Sequence, residues 1–251
     1  MVARLHSASR RLGLVHPSAT VHPSARLAQT AVVLERAHVG PRCEIGEGSV
    51  VGCGVHVGAW TKLHPQVTLQ NCQVGKHCLF HSGARVGADG FGFWVDEAGG
   101  VRKRPQLLQV LIGDHVEVGA NTCIDRGSWR DTVIGSHTKI DNLVQIGHNV
   151  HVGHSCLLCA HAALAGSSEL GDYCVMGGKS AVADHVKVCS QVRLAAFSGV
   201  TKHITQRGDY AGWPAQPAQA WRREVASIRA LAAGRRSAPD RASSGPDDDG
   251  G

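Results

Sequence analysis

The stretch 134–164, IGSHTKIDNLVQIGHNVHVGHSCLLCAHAAL, carries a large aliphatic residue at every sixth position. Those positions are Ile134, Ile140, Ile146, Val152, Leu158 and Leu164. The same step of six continues beyond this stretch to Val200, and it also runs unbroken from Val15 to Leu69. A helix repeats its apolar residues every three or four positions and a half-buried strand every second, so this period predicts a repeated short unit.

Each six-residue unit has a second pattern besides the aliphatic residue. The next position is often glycine, and the fifth position is small or β-branched. One aliphatic and one small inward residue describe a short strand that ends in a tight corner, where glycine permits positive φ or close backbone approach. Three such strands close a triangular coil, and coils stack by parallel pairing at about 4.8 Å. The repeat predicts an all-β parallel β-helix over residues 15–204, with roughly nine coils and a length of about 45 Å.

The composition agrees with a narrow solenoid core. The 251 residues include 31 glycines, and aromatic residues make up only 4%. No apolar stretch approaches the ~18 residues of a membrane span, so no span is expected. The formal net charge of +6 favours an acidic partner, and we expect that partner not to be nucleic acid.

Residues 90–111 interrupt the period and contain Phe91, Phe93, Trp94 and the basic run 102–104. A solenoid accommodates an insertion as a loop on one face, often the binding face. A hairpin that packs against the next subunit explains the segment equally well.

The flanks of the repeat have a different character. Within a C-terminal extension at 205–234, residues 218–233 have helical apolar spacing, and Gly234 is a stop signal. Residues 235–251 are typical of a disordered tail. Residues 1–14 carry arginine and serine without an acidic residue, which is the composition of a transit peptide and predicts a mitochondrial location.

The cysteines indicate a reducing compartment rather than a metal site. Four of them occupy the inward fifth position, where a thiol packs as a small core residue: Cys43, Cys78, Cys156 and Cys174. Cys156 and Cys159 have the spacing of half a zinc knuckle, but no second pair in the sequence matches it. We therefore expect no bound metal.

Three segments carry a more specific signal. GADGFGF at 87–93, IGDHVEVGANTCIDRGSWRDTVIG at 112–135 and KIDNLVQIGHNVHVG at 139–153 closely resemble the UDP-3-O-acylglucosamine N-acyltransferase family. The resemblance extends over about 15–232, and the RGSWRDTVIG wording is similar to plant members. It implies a left-handed β-helix and a homotrimer with clefts between subunits. It also implies transfer of a 3-hydroxyacyl group from acyl carrier protein to the 2-amino group of UDP-3-O-acylglucosamine, in lipid A synthesis.

The resemblance also implies a set of catalytic residues. The family's general base aligns with His148, its acidic partner with Asp141, and the N–H of its oxyanion hole with Gly166. An imidazole can take a proton near neutral pH, which suits the base role. Gly166 lies one 18-residue coil beyond His148, so the repeat independently places the two about 4.8 Å apart. The aligned His185 lies two coils and one residue further on, about 10 Å along the axis, and is expected to support the substrate.

Other candidates flank these residues. Asn142 and Gln145, in the same IDNLVQIGHNV segment, are expected to contact the substrate. Arg222 and Arg223 either hold acidic acyl carrier protein, as the family's C-terminal helix does, or form a solvated helix face. The family implies no bound cofactor, because the phosphopantetheine arrives on the carrier protein.

Three further expectations bear on function. Asp125 and Arg126 are either functional or a corner ion pair.

Bacterial members begin with a uridine-binding domain. With only about 14 residues before the first coil, we expect that domain to be missing here. Two alternative functions are a zinc trimer like γ-type carbonic anhydrase, which needs three converging histidines, and a non-catalytic hexapeptide-repeat scaffold.

Overall fold

The chain folds as a stack of short strands in a computed structural model that describes residues 13–212 and 217–236. The first ten strands are β1 Leu14–Val15, β2 Thr20–Val21, β3 Arg26–Leu27, β4 Val32–Val33, β5 His38–Val39, β6 Glu44–Ile45, β7 Val50–Val51, β8 His56–Val57, β9 Lys62–Leu63 and β10 Thr68–Leu69. The next ten are β11 Cys72–Val74, β12 Leu79–Phe80, β13 Arg85–Ala88, β14 Phe93–Val95, β15 Val101–Lys103, β16 Val110–Ile112, β17 Glu117–Val118, β18 Cys123–Asp125, β19 Thr132–Ile134 and β20 Lys139–Ile140. The last eleven are β21 Gln145–Ile146, β22 His151–Val152, β23 Leu157–Leu158, β24 Ala163–Leu164, β25 Glu169–Leu170, β26 Val175–Met176, β27 Ala181–Val182, β28 Lys187–Val188, β29 Val192–Leu194, β30 Gly199–Val200 and β31 Gly208–Tyr210.

Successive strands enter three parallel sheets in turn, with ten, nine and ten strands. The first sheet begins with β1, the second with β2 and the third with β3. Each strand pairs with the strand one coil away, as in the pairing of Val33 with Val51 and of Ile146 with Leu164. This arrangement confirms the predicted left-handed parallel β-helix.

The core is the column of aliphatic residues that the six-residue period identifies. Ile146 and Leu69 are completely buried, and the inward fifth positions, such as Val150 and Cys43, are buried as well. Each buried aliphatic side chain contributes about 1.5–3 kcal/mol relative to exposure, so a long stack of coils accumulates stability without large aromatic residues.

The structure distinguishes the two roles expected for glycine at the corners. Positive φ falls mainly on the fourth residue of each unit, which is often not glycine, as at Asn149 (φ 60°) and His185 (φ 58°). The second-position glycines serve close approach instead. A Cβ on Gly147 would lie 2.9 Å from the amide nitrogen of Gly166 on the next coil. Coil stacking, rather than backbone conformation, therefore requires glycine there.

The insertion and the C-terminal part also have defined structure. Residues 93–95 and 101–103 pair as an antiparallel hairpin, and the solenoid resumes at β16. The solenoid also extends past residue 204 to β31, which pairs with β29. A separate unit contains the helix α1, Ala218–Arg236, which continues past Gly234. One glycine costs only about 1 kcal/mol in a helix, and cations are favourable at a helix C-terminus.

The two predictions for the chain termini concern residues that the structure mostly does not describe. Residues 1–12 and 237–251 lie outside the described part of the chain, so the transit-like segment and the predicted tail fall almost wholly outside it. Among the residues that are described, no helix is both long and apolar enough to cross a bilayer.

Phe80 is the largest completely buried side chain, and we expect Phe80→Ala to lower the free energy of unfolding by about 3–5 kcal/mol. The substitution leaves a cavity inside a coil that cannot collapse, because its neighbours are fixed by strand pairing above and below. Urea unfolding followed by circular dichroism measures the change. Phe197→Ala is the control, because Phe197 is 59% exposed, and it should change stability by only about 0.5 kcal/mol. Equal losses in the two variants would contradict the assigned core.

Candidate active site

A cavity of about 920 Å³ lies against the first sheet, at the corner where that sheet meets the second. The coils supply its floor, and the start of the inserted segment supplies one wall. The polar and titratable side chains in its lining include His148, Asp125, Gln145, Asp89 and Lys103. Its far end is lined by small and aliphatic residues of β24, β27 and β30. The cavity thus combines a polar end that contains an imidazole with an apolar trough.

His148 lies at the corner directly after β21, with its ring between two glycines. A Cβ on Gly166 would lie 2.8 Å from both Cε1 and Nε2 of the ring. On the other side, a Cβ on Gly90 would lie 2.8 Å from Cδ2. The repeat therefore placed Gly166 correctly beside His148. The contribution of Gly90 could not be predicted, because Gly90 belongs to the insertion.

Asn149 holds the ring of His148 in place. The side-chain nitrogen Nδ2 of Asn149 lies 2.7 Å from Nδ1 of His148. The backbone N–H of Ser128 donates to Oδ1 of Asn149 at 2.7 Å, so the amide must present an N–H group to the ring. These partners assign the lone pair of the neutral ring to Nδ1 and its proton to Nε2.

A short loop braces this arrangement from the neighbouring coil. Arg130 donates through Nε to the carbonyl of Asn149 at 2.8 Å and through Nη1 to Glu169 at 2.7 Å. Sequence reasoning did not identify Asn149, Ser128 or Arg130 as contributors. The available signal was the extra length between β18 and β19, which breaks the period next to the corner of His148.

The electrostatic surroundings keep His148 neutral. Its pKa is lowered, first by burial and then by the positive charges of His185 and Arg104, while a hydrogen bond to the carbonyl of Phe91 opposes the shift. Burial disfavours the charged imidazolium, so the ring of His148 stays neutral to lower pH than an exposed histidine. A neutral ring near pH 7 can exchange a proton with a ligand.

Gln145 and Asp125, both candidates from the sequence, meet in this cavity, whereas Arg126 has other partners. Gln145 lines the cavity, and its Nε2 donates to Oδ2 of Asp125 at 3.1 Å. Arg126 does not pair with Asp125, because its Nε donates to the carbonyl of Leu108 at 2.5 Å and its Nη1 lies 3.9 Å from Asp89. The corner ion pair considered for Asp125 and Arg126 is therefore absent between these two side chains.

Asp141 and Asn142 lie at a different corner of the same chain, between the third and first sheets. The Oδ1 atom of Asp141 accepts from the backbone N–H of Asn142 at 2.7 Å, and Oδ2 accepts from that of Ala160 at 3.0 Å. Both residues line a second cavity of about 550 Å³, which His148 does not line. One chain alone does not bring Asp141 to the ring of His148.

The remaining candidates occupy exposed positions. His185 lies at the same corner as His148, and its backbone N–H donates to the carbonyl of Gly166 at 3.1 Å, which agrees with the two-coil spacing. Arg222 and Arg223 are exposed on α1. Within the described ranges, no group of three or more histidine, cysteine, aspartate or glutamate side chains could hold a metal ion.

Fold and cavity together define a hexapeptide-repeat β-solenoid with a histidine-centred site. The fold is similar to the solved structure of LpxA from Acinetobacter baumannii, with a TM-score of 0.57 and 25% identity over 84% of this chain and 77% of that one. The Arabidopsis UDP-N-acetylglucosamine acyltransferase shares the fold, with a TM-score of 0.53, 21% identity, and coverage of 92% of this chain and 86% of that one.

Two curated relatives are similar to this chain in sequence, and both are named as UDP-3-O-acylglucosamine N-acyltransferases. The chain is 56% identical over 170 residues to probable UDP-3-O-acylglucosamine N-acyltransferase 2, mitochondrial, of Arabidopsis thaliana, a match that covers 68% of this chain and 55% of that protein. It is 45% identical over 169 residues to UDP-3-O-acylglucosamine N-acyltransferase of Methylobacterium nodulans, over 67% of this chain and 48% of that protein.

Over these residues the chain is homologous to the UDP-3-O-acylglucosamine N-acyltransferases, which confirms the resemblance seen in the sequence. The chain spans about half the length of these curated relatives. No family model matches it.

Proposed function

We propose that this protein is an N-acyltransferase that moves a 3-hydroxyacyl group from acyl carrier protein to the 2-amino group of UDP-3-O-acylglucosamine, a step of lipid A synthesis. The observation that carries the proposal is the contact between His148 and Gly166 at the polar end of the cavity. The names of the homologous enzymes support the same reaction.

In the proposed reaction the sugar amine attacks the thioester carbonyl of the donor. The C–N bond forms, the C–S bond breaks, and the thiolate of the carrier's phosphopantetheine leaves. His148 takes one proton from the sugar ammonium at Nε2, which frees the nitrogen lone pair for attack, and later releases it to solvent. The second proton lost by the nitrogen goes to the leaving sulfur as the amide forms. The N–H of Gly166, which has no hydrogen-bond acceptor among the described residues, is placed to donate to the oxyanion. Amide formation by this route needs no bound cofactor or metal.

The position of the ring proton makes a second subunit important. Proton acceptance at Nε2 requires the existing ring proton to lie on Nδ1, where Asn149 offers only a donor. An acceptor must therefore replace or join Asn149 in the productive state. Asp141, which the resemblance pairs with the catalytic histidine, could supply it only from a neighbouring copy. We therefore propose a homotrimer in which one subunit's Asp141 completes another subunit's site.

Asn149→Asp tests this account of the ring. The carboxylate would still accept from Ser128 with one oxygen and would offer an acceptor to Nδ1–H with the other. A hydrogen-bonded carboxylate favours the imidazolium, so the pKa of His148 should rise from its lowered value. The base must be unprotonated, so the rising limb of the kcat/KM profile should move to higher pH.

The His148 pKa is measured by NMR titration, with its signal identified by its absence in His148→Ala. Asn149→Leu is the matched control, because it removes the donor without adding an acceptor. A pKa that stays the same or falls in Asn149→Asp would show that Asn149 does not control the ring.

The remaining contacts are proposals as well. We propose that Gln145 contacts the sugar in the cavity, and that His185 and Asn142 contact substrate in the assembled trimer. Arg222 and Arg223 on α1 are proposed to hold the acidic carrier protein, in keeping with the net charge of +6. The arginine-bearing start of the sequence and the name of the Arabidopsis relative support a mitochondrial location.

An acyl-transfer assay with 3-hydroxyacyl carrier protein and UDP-3-O-acylglucosamine tests the proposed function. Formation of the amide product supports it. Stoichiometric zinc together with CO₂ hydration would favour the carbonic-anhydrase alternative. A chain that binds acyl carrier protein and transfers nothing would favour the scaffold alternative.

A further inference from the structure

Asp125 occupies the cavity beside the catalytic histidine of the same chain. It ends β18, whose register pairs Cys123 with Gln145 and Ile124 with Ile146. Continued by one residue, this register places Asp125 opposite Gly147, the residue that precedes His148. Asp125 is half-buried and lines the cavity together with His148. A carboxylate and the proposed base therefore face the same space on adjacent coils.

The carboxylate of Asp125 has no cationic partner in the described part of the chain. Gln145 donates to its Oδ2, and no other hydrogen bond or ion pair to it is found there. The other carboxylate that lines the cavity is neutralised, because Asp89 pairs with Lys103. Asp125 differs from Asp89 in offering an unneutralised charge to the cavity.

Burial raises the pKa of Asp125 to about 6, and the Gln145 hydrogen bond only partly offsets this shift. The group is thus mostly ionised at neutral pH but carries an unrelieved desolvation cost. His148 does not relieve that cost, because its own pKa is lowered and its ring is neutral. A cationic ligand would relieve it.

We propose that Asp125 binds the amino group of the sugar substrate in its ammonium form and holds it beside His148. This inference rests on the proposed function, because the 2-amino group of glucosamine is the cation of that substrate. The ammonium donates a hydrogen bond to Oδ1 of Asp125 and presents another proton toward Nε2 of His148. A sugar with a hydroxyl at the same carbon lacks the charge, so Asp125 selects amine acceptors.

The test compares two probes, UDP-3-O-acylglucosamine and UDP-3-O-acylglucose, whose only difference is the amine or hydroxyl at carbon 2. Calorimetry gives the affinity of each for the full chain, for Asp125→Asn and for Asp209→Asn. The wild type should prefer the amine by about 10- to 100-fold, as expected for a charge-assisted hydrogen bond. Asp125→Asn should reduce that preference to about twofold or less. Asp209→Asn should keep the preference, because Asp209 is exposed and pairs with Arg193.

An unchanged amine preference in Asp125→Asn would overturn the inference, and the proposed function would stand if that variant still forms the amide. Absence of transfer by the wild type would instead remove the proposed function. Asp125→Glu keeps the charge and should retain most of the preference. If Asp125→Asn and Asp125→Glu each abolish binding of both probes, Asp125 has a structural role and the inference is also overturned.

Discussion

His148→Ala is expected to reduce the turnover number of acyl transfer by roughly 10²- to 10⁴-fold, the usual contribution of a positioned general base. The sugar ammonium cannot attack the thioester until it loses a proton. In the described structure, His148 is the imidazole that lines the cavity, next to the N–H of Gly166. The measurement is single-turnover formation of the amide product.

The fold should survive this substitution, because the ring is only half-buried and contributes nothing to the aliphatic core. Circular dichroism and light scattering check the secondary structure and the oligomeric state. His151→Ala is the matched control, since His151 is an exposed residue of β22 and should retain full activity. Turnover like that of the wild type in His148→Ala would rule out the proposed base.

Gly166→Ala is expected to reduce turnover by about 10²-fold or more. The added methyl group would lie 2.8 Å from Cε1 and Nε2 of His148, a distance that side-chain carbons do not tolerate. Gly90 closes the opposite side of the ring, so the ring must move away from the reacting atoms. Displacement of a catalytic group by about 1 Å can cost this much. The methyl group would also crowd the proposed oxyanion position.

Gly178→Ala provides the control for this second substitution. The atom nearest to a Cβ on Gly178 is a backbone oxygen at 3.5 Å, an ordinary contact, and the residue lies at a different corner. Steady-state kinetics of the two variants should separate clearly, with Gly178→Ala close to the wild type. If Gly166→Ala retains more than half of the wild-type kcat, close packing of Gly166 against the ring is not important for catalysis.

The spacing of residues along the chain determined much of this protein in advance. Every sixth-position aliphatic residue from Val15 to Leu69 lies in a strand of the solenoid. The same arithmetic placed Gly166 beside His148, because an uninterrupted coil of 18 residues returns the chain to the same corner. A periodic chain can be predicted in this way wherever its units are stacked without insertions.

The tertiary structure decided what the period could not. The hairpin of 90–111 and the loop that contains Arg130 change the length of their coils, so spacing no longer predicts which side chains meet. Only the folded chain shows that Asn149 holds the ring of His148 and that Asp125 shares its cavity. It also shows Asp141 at another corner, seven residues from His148 in sequence but one whole sheet away. Sequence distance measures position along the coil, whereas catalysis depends on which side of the triangle a side chain occupies.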